Sequence, residues 1–347
     1  MALTRVDDAL GAPWERPLQG SLHELVVESE LLADNPLGDS PRRPLLVYEA
    51  PGVADRVPSV YVIQGYGGQA REWLNRDSFD PTVIERLDAM FAAGDCPPAV
   101  IAFVDAWTSL GGSQFLNSPG TGRYLDYLCD EVVPFVDAAY PTLPAREHRG
   151  IAGKSSGGYG AMVVPMLRPD VFGGLASHAG DALFESCYLP AFPRIARTVR
   201  DHFDGSLDAL LDQVKQAEQF DWGKFGEAYS TYAYAAAYSP DPSDPTKVQL
   251  PFEVETGRLI DEVWARWLAL DPVRMVARHA DALRSMRRIY LDAGRSDEWF
   301  LDLGAQAFAG ELEKIGAEHT LELFDGTHMG MAYRYPGAIK ELVLALR

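Results

Sequence analysis

The sequence predicts an α/β chain built on a mostly parallel, doubly wound sheet, with an N-terminal antiparallel edge and a helical insertion late in the chain. Three observations carry this. Short runs rich in Val and Ile alternate with longer helix-compatible stretches, the pattern of strands covered on both faces by crossover helices. Each run ends in glycine or polar residues, at the end of the strand where open sheets place their ligands. Between Asp181 and Arg288 the alternation stops, and only helix-like segments follow one another.

Taken in order, residues 1–20 are polar and include Pro13 and Pro17, which reads as an N-terminal arm. His23–Ser29 and Pro44–Glu49 flank the turn-rich Asn35-Pro36-Leu37-Gly38-Asp39 and fit an antiparallel pair at a sheet edge. The parallel strands are expected at Ser59–Gln64, Ala99–Asp105, Arg149–Gly153, Gly174–Ala179, Arg288–Ala293 and Thr320–Phe324. Residues 182–285 then form the insertion, with helix-like segments at Leu207–Gln219, Tyr229–Tyr238 and Leu259–Leu270. The Pro-rich run Ser239-Pro240-Asp241-Pro242-Ser243-Asp244-Pro245 separates the last two. This insertion reads as a cap over the strand ends, part of one domain over residues 21–347.

Composition narrows the function classes. Of 347 residues 47% are hydrophobic and 23% charged, enough apolar material for a substantial core. Lys and Arg total 31 against 50 Asp and Glu, so the net charge is 31 − 50 = −19. A surface that acidic repels phosphate backbones and anionic headgroups, which argues against nucleic acid and membrane surfaces as partners. Three cysteines, Cys96, Cys129 and Cys187, are too scattered for a disulfide framework or a thiolate metal site. The first residues carry no basic region followed by an apolar stretch, and no run reaches the ~18 apolar residues of a membrane span. The expectation is a soluble, cytoplasmic protein without metal or cofactor; a homo-oligomer is left open.

Chemistry concentrates in Gly153-Lys154-Ser155-Ser156-Gly157-Gly158, which follows a short apolar strand and precedes a helix-compatible run. A G-x-S-x-G sequence in that setting puts its serine on a very tight strand-to-helix turn. The flanking glycines are needed because a Cβ there would collide with the neighbouring strand or helix. Ser155 would then expose its hydroxyl at a helix N-terminus, where backbone N–H groups favour a developing oxyanion. The rival reading is a glycine turn for a phosphate or a cofactor.

A serine nucleophile needs a base and an acid, in the chain order serine, acid, histidine for this turn. His328 lies in Asp325-Gly326-Thr327-His328, directly after the last strand, and is the favoured base. His178, at the end of the strand after the nucleophile helix, is the rival. Asp292, Asp297 and Glu298 follow or end the preceding strand; Asp297, in the loop, sits where a carboxylate could orient the imidazole. Asp181 is the reserve acid, with a helix N-cap before Leu183 as its ordinary alternative.

The oxyanion donors expected are the N–H groups of Ser156 and Tyr66, with Gly67 behind Tyr66. Tyr66 belongs to Gln64-Gly65-Tyr66-Gly67-Gly68, a glycine loop whose backbone can close on a carbonyl. Gly65, Gly67, Trp107 and Asp181 are the expected substrate contacts. Tyr188, Trp222, Trp264 and Trp267 are candidates for the pocket wall, with plain core packing as the alternative.

These motifs resemble the esterase D branch of the α/β-hydrolase family, which includes S-formylglutathione hydrolases, enterochelin and feruloyl esterases and the antigen 85 mycolyltransferases. Gln64-Gly65-Tyr66-Gly67-Gly68 is similar to that family's H-G-x-G-G loop and Gly153–Gly158 to its G-x-S-x-G-G. Asp292-Ala293-Gly294-Arg295-Ser296-Asp297 is similar to its D-x-G-x-x-D, and Gly326-Thr327-His328 to its histidine loop. Asp126–Asp137 is similar to its helix ahead of the nucleophile strand. The similarity runs from about His23 to the C-terminus, excluding the insertion. Gln64 stands where the family has histidine, and the span from Ser155 to Asp297 is longer than in compact members. The resemblance implies an α/β-hydrolase fold and a serine esterase that cleaves a small-molecule carboxylic ester or thioester through an acyl-enzyme on Ser155. Acyl transfer from the same intermediate, or a hydrolase-fold binding protein that no longer turns over, are the alternatives.

Overall fold

The computed structural model describes residues 17–76, 79–216 and 218–347. Eight strands form one sheet: β1 (Ser21–Glu28), β2 (Arg42–Glu49), β3 (Ser59–Ile63), β4 (Val100–Val104), β5 (Arg149–Lys154), β6 (Gly174–His178), β7 (Arg288–Gly294) and β8 (Thr320–Phe324). Their order across the sheet is β1-β2-β4-β3-β5-β6-β7-β8. β1 and β2 pair antiparallel, β2 joins β4 antiparallel, and every pair from β4 to β8 is parallel. This is the α/β-hydrolase arrangement, with the expected antiparallel edge.

The strands run continuously apolar because both faces are covered. Alternate residues go to opposite sides of the pleat. Tyr61 and Ile63 of β3 join the core beneath helices Ser156–Leu167 and Leu301–Ile315. Val60 and Val62 join the opposite core, under Val83–Ala92 and Tyr335–Ala345. The register sets Ile63 beside Gly153, Lys154 beside His178 and His178 beside Asp292, so the carboxyl ends of β3, β5, β6 and β7 line up at one rim.

Several boundaries differ from expectation for local reasons. β6 stops at His178 because Ala179 turns to φ 42°. Residues 182–285 contribute no strand to the sheet. Their helix Trp222–Tyr238 starts before the expected Tyr229, since the Asp221 side chain accepts the Lys224 N–H at 3.1 Å as an N-cap. Leu207–Gln219 is observed as Leu207–Gln216 and Leu259–Leu270 as Asp261–Leu268. Phe192–Phe203 is a helix that the expectations did not include; it buries Ile195, Ala196, Val199 and Phe203 on one stripe. Asp126–Asp137 falls within a helical run whose middle, Tyr127–Val132, is a π-helix. The expected arm lies outside the described residues up to position 16. Its last residues are fastened, with the Gln19 and Gly20 amides both donating to Asp88 Oδ1 at 2.8 Å. Among the described residues no helix is long and apolar enough to cross a membrane.

One buried ion pair ties the edge to the rim. Arg43 of β2 bonds Asp105, just past β4, and both side chains are almost wholly buried. Asp105 also accepts the Ala70 N–H at 3.0 Å and the Trp107 N–H at 3.3 Å, which fixes the segment after the glycine loop against the Trp107 loop. Removing one member of such a pair strands a buried charge, at a cost of about 3–5 kcal/mol. Asp105→Ala should therefore lower unfolding stability by about that much in denaturant titration; a midpoint and slope equal to those of the parent would contradict the role assigned to the pair.

Candidate active site

Ser155 sits between β5 and the helix Ser156–Leu167 with φ 59° and ψ −128°, a positive-φ conformation that L-residues avoid. Such strain costs about 1–3 kcal/mol and persists only where the surroundings impose it. Here they do: the Ser155 N–H donates to His178 O at 3.0 Å, and the Ser155 carbonyl accepts from Tyr159 N–H at 2.8 Å. The glycines at either side are forced by contact. A Cβ on Gly153 would lie 2.4 Å from Gly157 O, and one on Gly157 would lie 2.5 Å from Ile63 O. A Cβ on Gly65 would meet Lys154 O at 2.9 Å and Ser155 Cβ at 3.3 Å, so the glycine loop after β3 presses directly on the serine turn.

His328 and Asp297 meet as expected. His328 Nδ1 lies 2.8 Å from Asp297 Oδ2, and neither side chain is more than marginally exposed. The other carboxylate oxygen, Oδ1, accepts the Trp299 N–H at 2.9 Å and the Leu301 N–H at 3.3 Å, which holds the acid in place. Glu298 accepts the His328 backbone N–H at 2.9 Å, and that bond holds its carboxyl below the ordinary range. Trp299 stands edge-on to the imidazole, ring centres 4.8 Å apart. Ser155 and His328 line one cavity of about 1300 Å³. Among the described residues no hydrogen bond joins the Ser155 hydroxyl to His328; such bonds are commonly long in a free enzyme and tighten with substrate.

The rival histidine is elsewhere. His178 is wholly buried, with Nδ1 2.7 Å from Asp292 Oδ1, and it does not border the cavity. Asp292, within β7, also accepts from Arg334 Nε at 2.9 Å. That cluster anchors the segment after His328 to the sheet.

In the glycine loop the Gly67 N–H donates to Gly111 O at 2.7 Å, which leaves the second-choice donor occupied. Among the described residues no acceptor takes the Tyr66 or Ser156 amide. Gln64, at the family's histidine position, donates from Nε2 to Gln69 O at 2.9 Å and so braces the loop from within. Gly65, Gly67, Trp107 and Asp181 all border the cavity.

Asp181 is neither the partner of His328 nor the expected cap. The amides of Leu183 and Phe184 go instead to Asp271, at 3.1 and 3.0 Å. Asp181 Oδ2 accepts from Ser156 Oγ at 3.1 Å and from Tyr188 OH at 2.8 Å. Burial pushes its carboxyl up, against the opposing pull of those bonds and of His328. Tyr188 and Trp222 border the cavity, whereas Trp264 and Trp267 are core residues, Trp267 donating from Nε1 to Ser239 Oγ at 2.8 Å. Lys154 and Tyr234 were not anticipated at the site; both border it. Burial lowers the Lys154 ammonium, partly offset by Asp297 and Glu298. The alternating Tyr232, Tyr234 and Tyr238 were visible in the sequence, but which of them faces inward depends on where the helix starts. Among the described residues no group of three or more His, Cys, Asp or Glu side chains could hold a metal ion.

The family model "Esterase: Putative esterase" matches residues 56–334. Solved structures share the fold across nearly the whole chain. A ferulic acid esterase matches with TM-score 0.59 and 18% identity, covering 95% of this chain and 100% of that one. An S-formylglutathione hydrolase from Agrobacterium tumefaciens matches with TM-score 0.58 and 14% identity, covering 96% and 98%. The fluorophosphonate-binding serine hydrolase FphF of Staphylococcus aureus matches with TM-score 0.56 and 14% identity, covering 94% and 99%.

The tightness of the serine turn is directly testable. In Gly157→Ala the added methyl meets backbone atoms of Ile63 and Gln64, which cannot swing away as a side chain could. Overpacking of this kind costs about 1–3 kcal/mol or more. The expected result is a lower melting temperature and loss of any activity that depends on Ser155; unchanged melting and turnover would refute the packing argument.

Proposed function

We propose that this chain, which belongs to the esterase family and is a carboxylic ester hydrolase of α/β-hydrolase fold, works through an acyl-enzyme on Ser155. The observation that carries the reading is the His328–Asp297 pair at 2.8 Å, opening onto the same cavity as the strained serine. A histidine oriented by a buried carboxylate, at the same cavity as a serine hydroxyl, suits nucleophilic acyl chemistry.

In the forward step Ser155 Oγ attacks the carbonyl carbon while its proton passes to His328 Nε2. The oxyanion that forms accepts from the N–H groups of Ser156 and Tyr66, which are preorganised and cost nothing to reorient. Asp297 keeps the Nδ1–H tautomer and stabilises the imidazolium. Collapse breaks the bond to the leaving oxygen or sulfur, which takes the proton from His328 and departs as alcohol or thiol. Water then attacks the acyl-serine, gives a proton to His328, and the second collapse returns that proton to Ser155 and frees the acid. The natural substrate is a small-molecule ester, and a thioester would follow the same steps.

Ser155→Ala should reduce kcat for p-nitrophenyl butyrate by about 10⁴–10⁶-fold with the melting temperature kept, and should abolish labelling by a fluorophosphonate probe. Asp297→Asn should cost about 10⁴-fold in kcat. Parent-like turnover by the Ser155 variant would end this assignment; parent-like turnover by the Asp297 variant would remove only the acid.

A further inference from the structure

Asp181 is more than the proposed relay needs. It is almost wholly buried, yet its carboxylate borders the cavity, and its amide lies 3.4 Å from Ser155 O. Oδ2 is engaged by Ser156 and Tyr188. The Gln114 side chain also bonds the carboxyl. If the only task were to gather these neutral donors, an amide oxygen would accept them equally well, without the cost of burying a charge beside a developing oxyanion. A buried carboxylate that borders a large cavity suits a positively charged ligand.

The wall leading away from it has the matching chemistry. Tyr188 and Tyr234 have ring centres 5.1 Å apart, Tyr234 and Tyr66 5.4 Å, and Tyr66 and Trp222 6.1 Å, with Trp222 more than half exposed at the outer end. All four border the cavity. Aromatic faces beside a carboxylate attract cationic nitrogen, worth about 0.5–2 kcal/mol per face depending on how dry the site is. Of the cavity's own cations, Arg86 pairs with Asp80 at 2.9 Å, and Lys154 Nζ lies 3.9 Å from Met329 Sδ. A net charge of −19 adds long-range attraction for a cation.

We propose that the ester cleaved here carries a cationic nitrogen, amine or quaternary ammonium, a few bonds from the scissile carbonyl and seated beside Asp181 against the Tyr234–Tyr66–Trp222 wall. Asp181 is then a specificity-determining residue. The inference rests on Ser155 as nucleophile, and the test separates the two.

Two ester pairs, each of a cation and its neutral isostere, locate the charge. p-Nitrophenyl 4-(trimethylammonio)butanoate against p-nitrophenyl 5,5-dimethylhexanoate places it in the acyl group. 2-(Trimethylammonio)ethyl butanoate against 3,3-dimethylbutyl butanoate places it in the alcohol. The full-length protein should favour the cation at least about tenfold in kcat/KM in one pair, as one desolvated charge contact allows. In Asp181→Asn that ratio should fall to within about threefold of unity. Should that variant fail to fold, Tyr234→Leu, which keeps the carboxylate, should lower the ratio severalfold. Binding is read separately, by quenching of tryptophan fluorescence with the 2-hydroxyethyl-trimethylammonium ion against 3,3-dimethylbutan-1-ol. Hydrolysis of neutral esters with no cation preference in either pair overturns this inference and leaves Ser155 in place. Failure of all four esters together with no fluorophosphonate labelling overturns the Ser155 reading, and equal binding of the two alcohols then overturns this one as well.

Discussion

The close approach of three backbones around Ser155 is the constraint on which the site depends. β5 arrives at the rim, the glycine loop after β3 presses on it, and the helix from Ser156 leaves within one residue. There is room for this only because Gly65, Gly153 and Gly157 carry no side chain. The strained φ of 59° at Ser155 follows from that crowding, and the bonds to His178 O and from Tyr159 N–H hold it. What the strain achieves is orientation: the hydroxyl is lifted off the sheet, and the Ser156 amide comes to lie beside the Tyr66 loop. A looser turn would be cheaper to fold and would let those groups drift by distances that matter to catalysis.

A second layer of charge holds the loops that meet at that turn. Arg43 and Asp105 fasten the Trp107 loop and the segment after the glycine loop to one side of the sheet. On the other side Arg334 spans Asp292 and Tyr290, and Asp292 in turn holds His178, whose carbonyl accepts from Ser155. The histidine loop is thus tied through Arg334 to the same strand end that fixes the serine. Buried pairs like these are poor contributors to net stability, but breaking one is costly, so each favours a single loop arrangement over its neighbours.

Much of this was legible in the sequence because the relevant signals are local. Short apolar runs with glycine or polar residues after them marked all six parallel strands, since burial on both faces leaves little choice of residue. The order of Ser155, Asp297 and His328 was legible because each follows a strand and must reach one rim. What could not be read depended on which partner wins a shared group. Asp181, two residues before Leu183, was the cap the local sequence offered; the fold brings Asp271 there from 88 positions further along the chain. Gly67 stood behind Tyr66 as a donor, and only the fold shows that Gly111 O takes its amide. His178 ends a strand and His328 follows one by four residues, but only His328 borders the cavity, while His178 is covered by Tyr335 and Tyr290. The helical insertion hid its inward face because Asp221, far back in a polar stretch, sets where the helix begins.

The buried carboxylate at Asp181 raises an electrostatic question about the site around it. A negative charge next to the Ser156 side chain repels the oxyanion that Ser156 N–H would stabilise, and unit charges about 4 Å apart interact by about 4 kcal/mol even at an effective dielectric of about 20. Two features limit the damage. The Ser156 and Tyr188 hydroxyls both point their hydrogens at Oδ2 and spread its charge. His328 pulls the Asp181 carboxyl down, and in the proposed mechanism it would become cationic as the oxyanion forms, so attraction to one new charge would offset repulsion from the other. The remaining burden falls on the resting state, where burial pushes Asp181 toward its neutral form. A ligand that brings a positive charge to this carboxylate would lessen that burden before the chemistry begins. On electrostatic grounds, then, a cationic substrate would favour the ionised carboxylate that the Ser156 and Tyr188 hydroxyls already support, and the cost of burying it would be shared with the ligand.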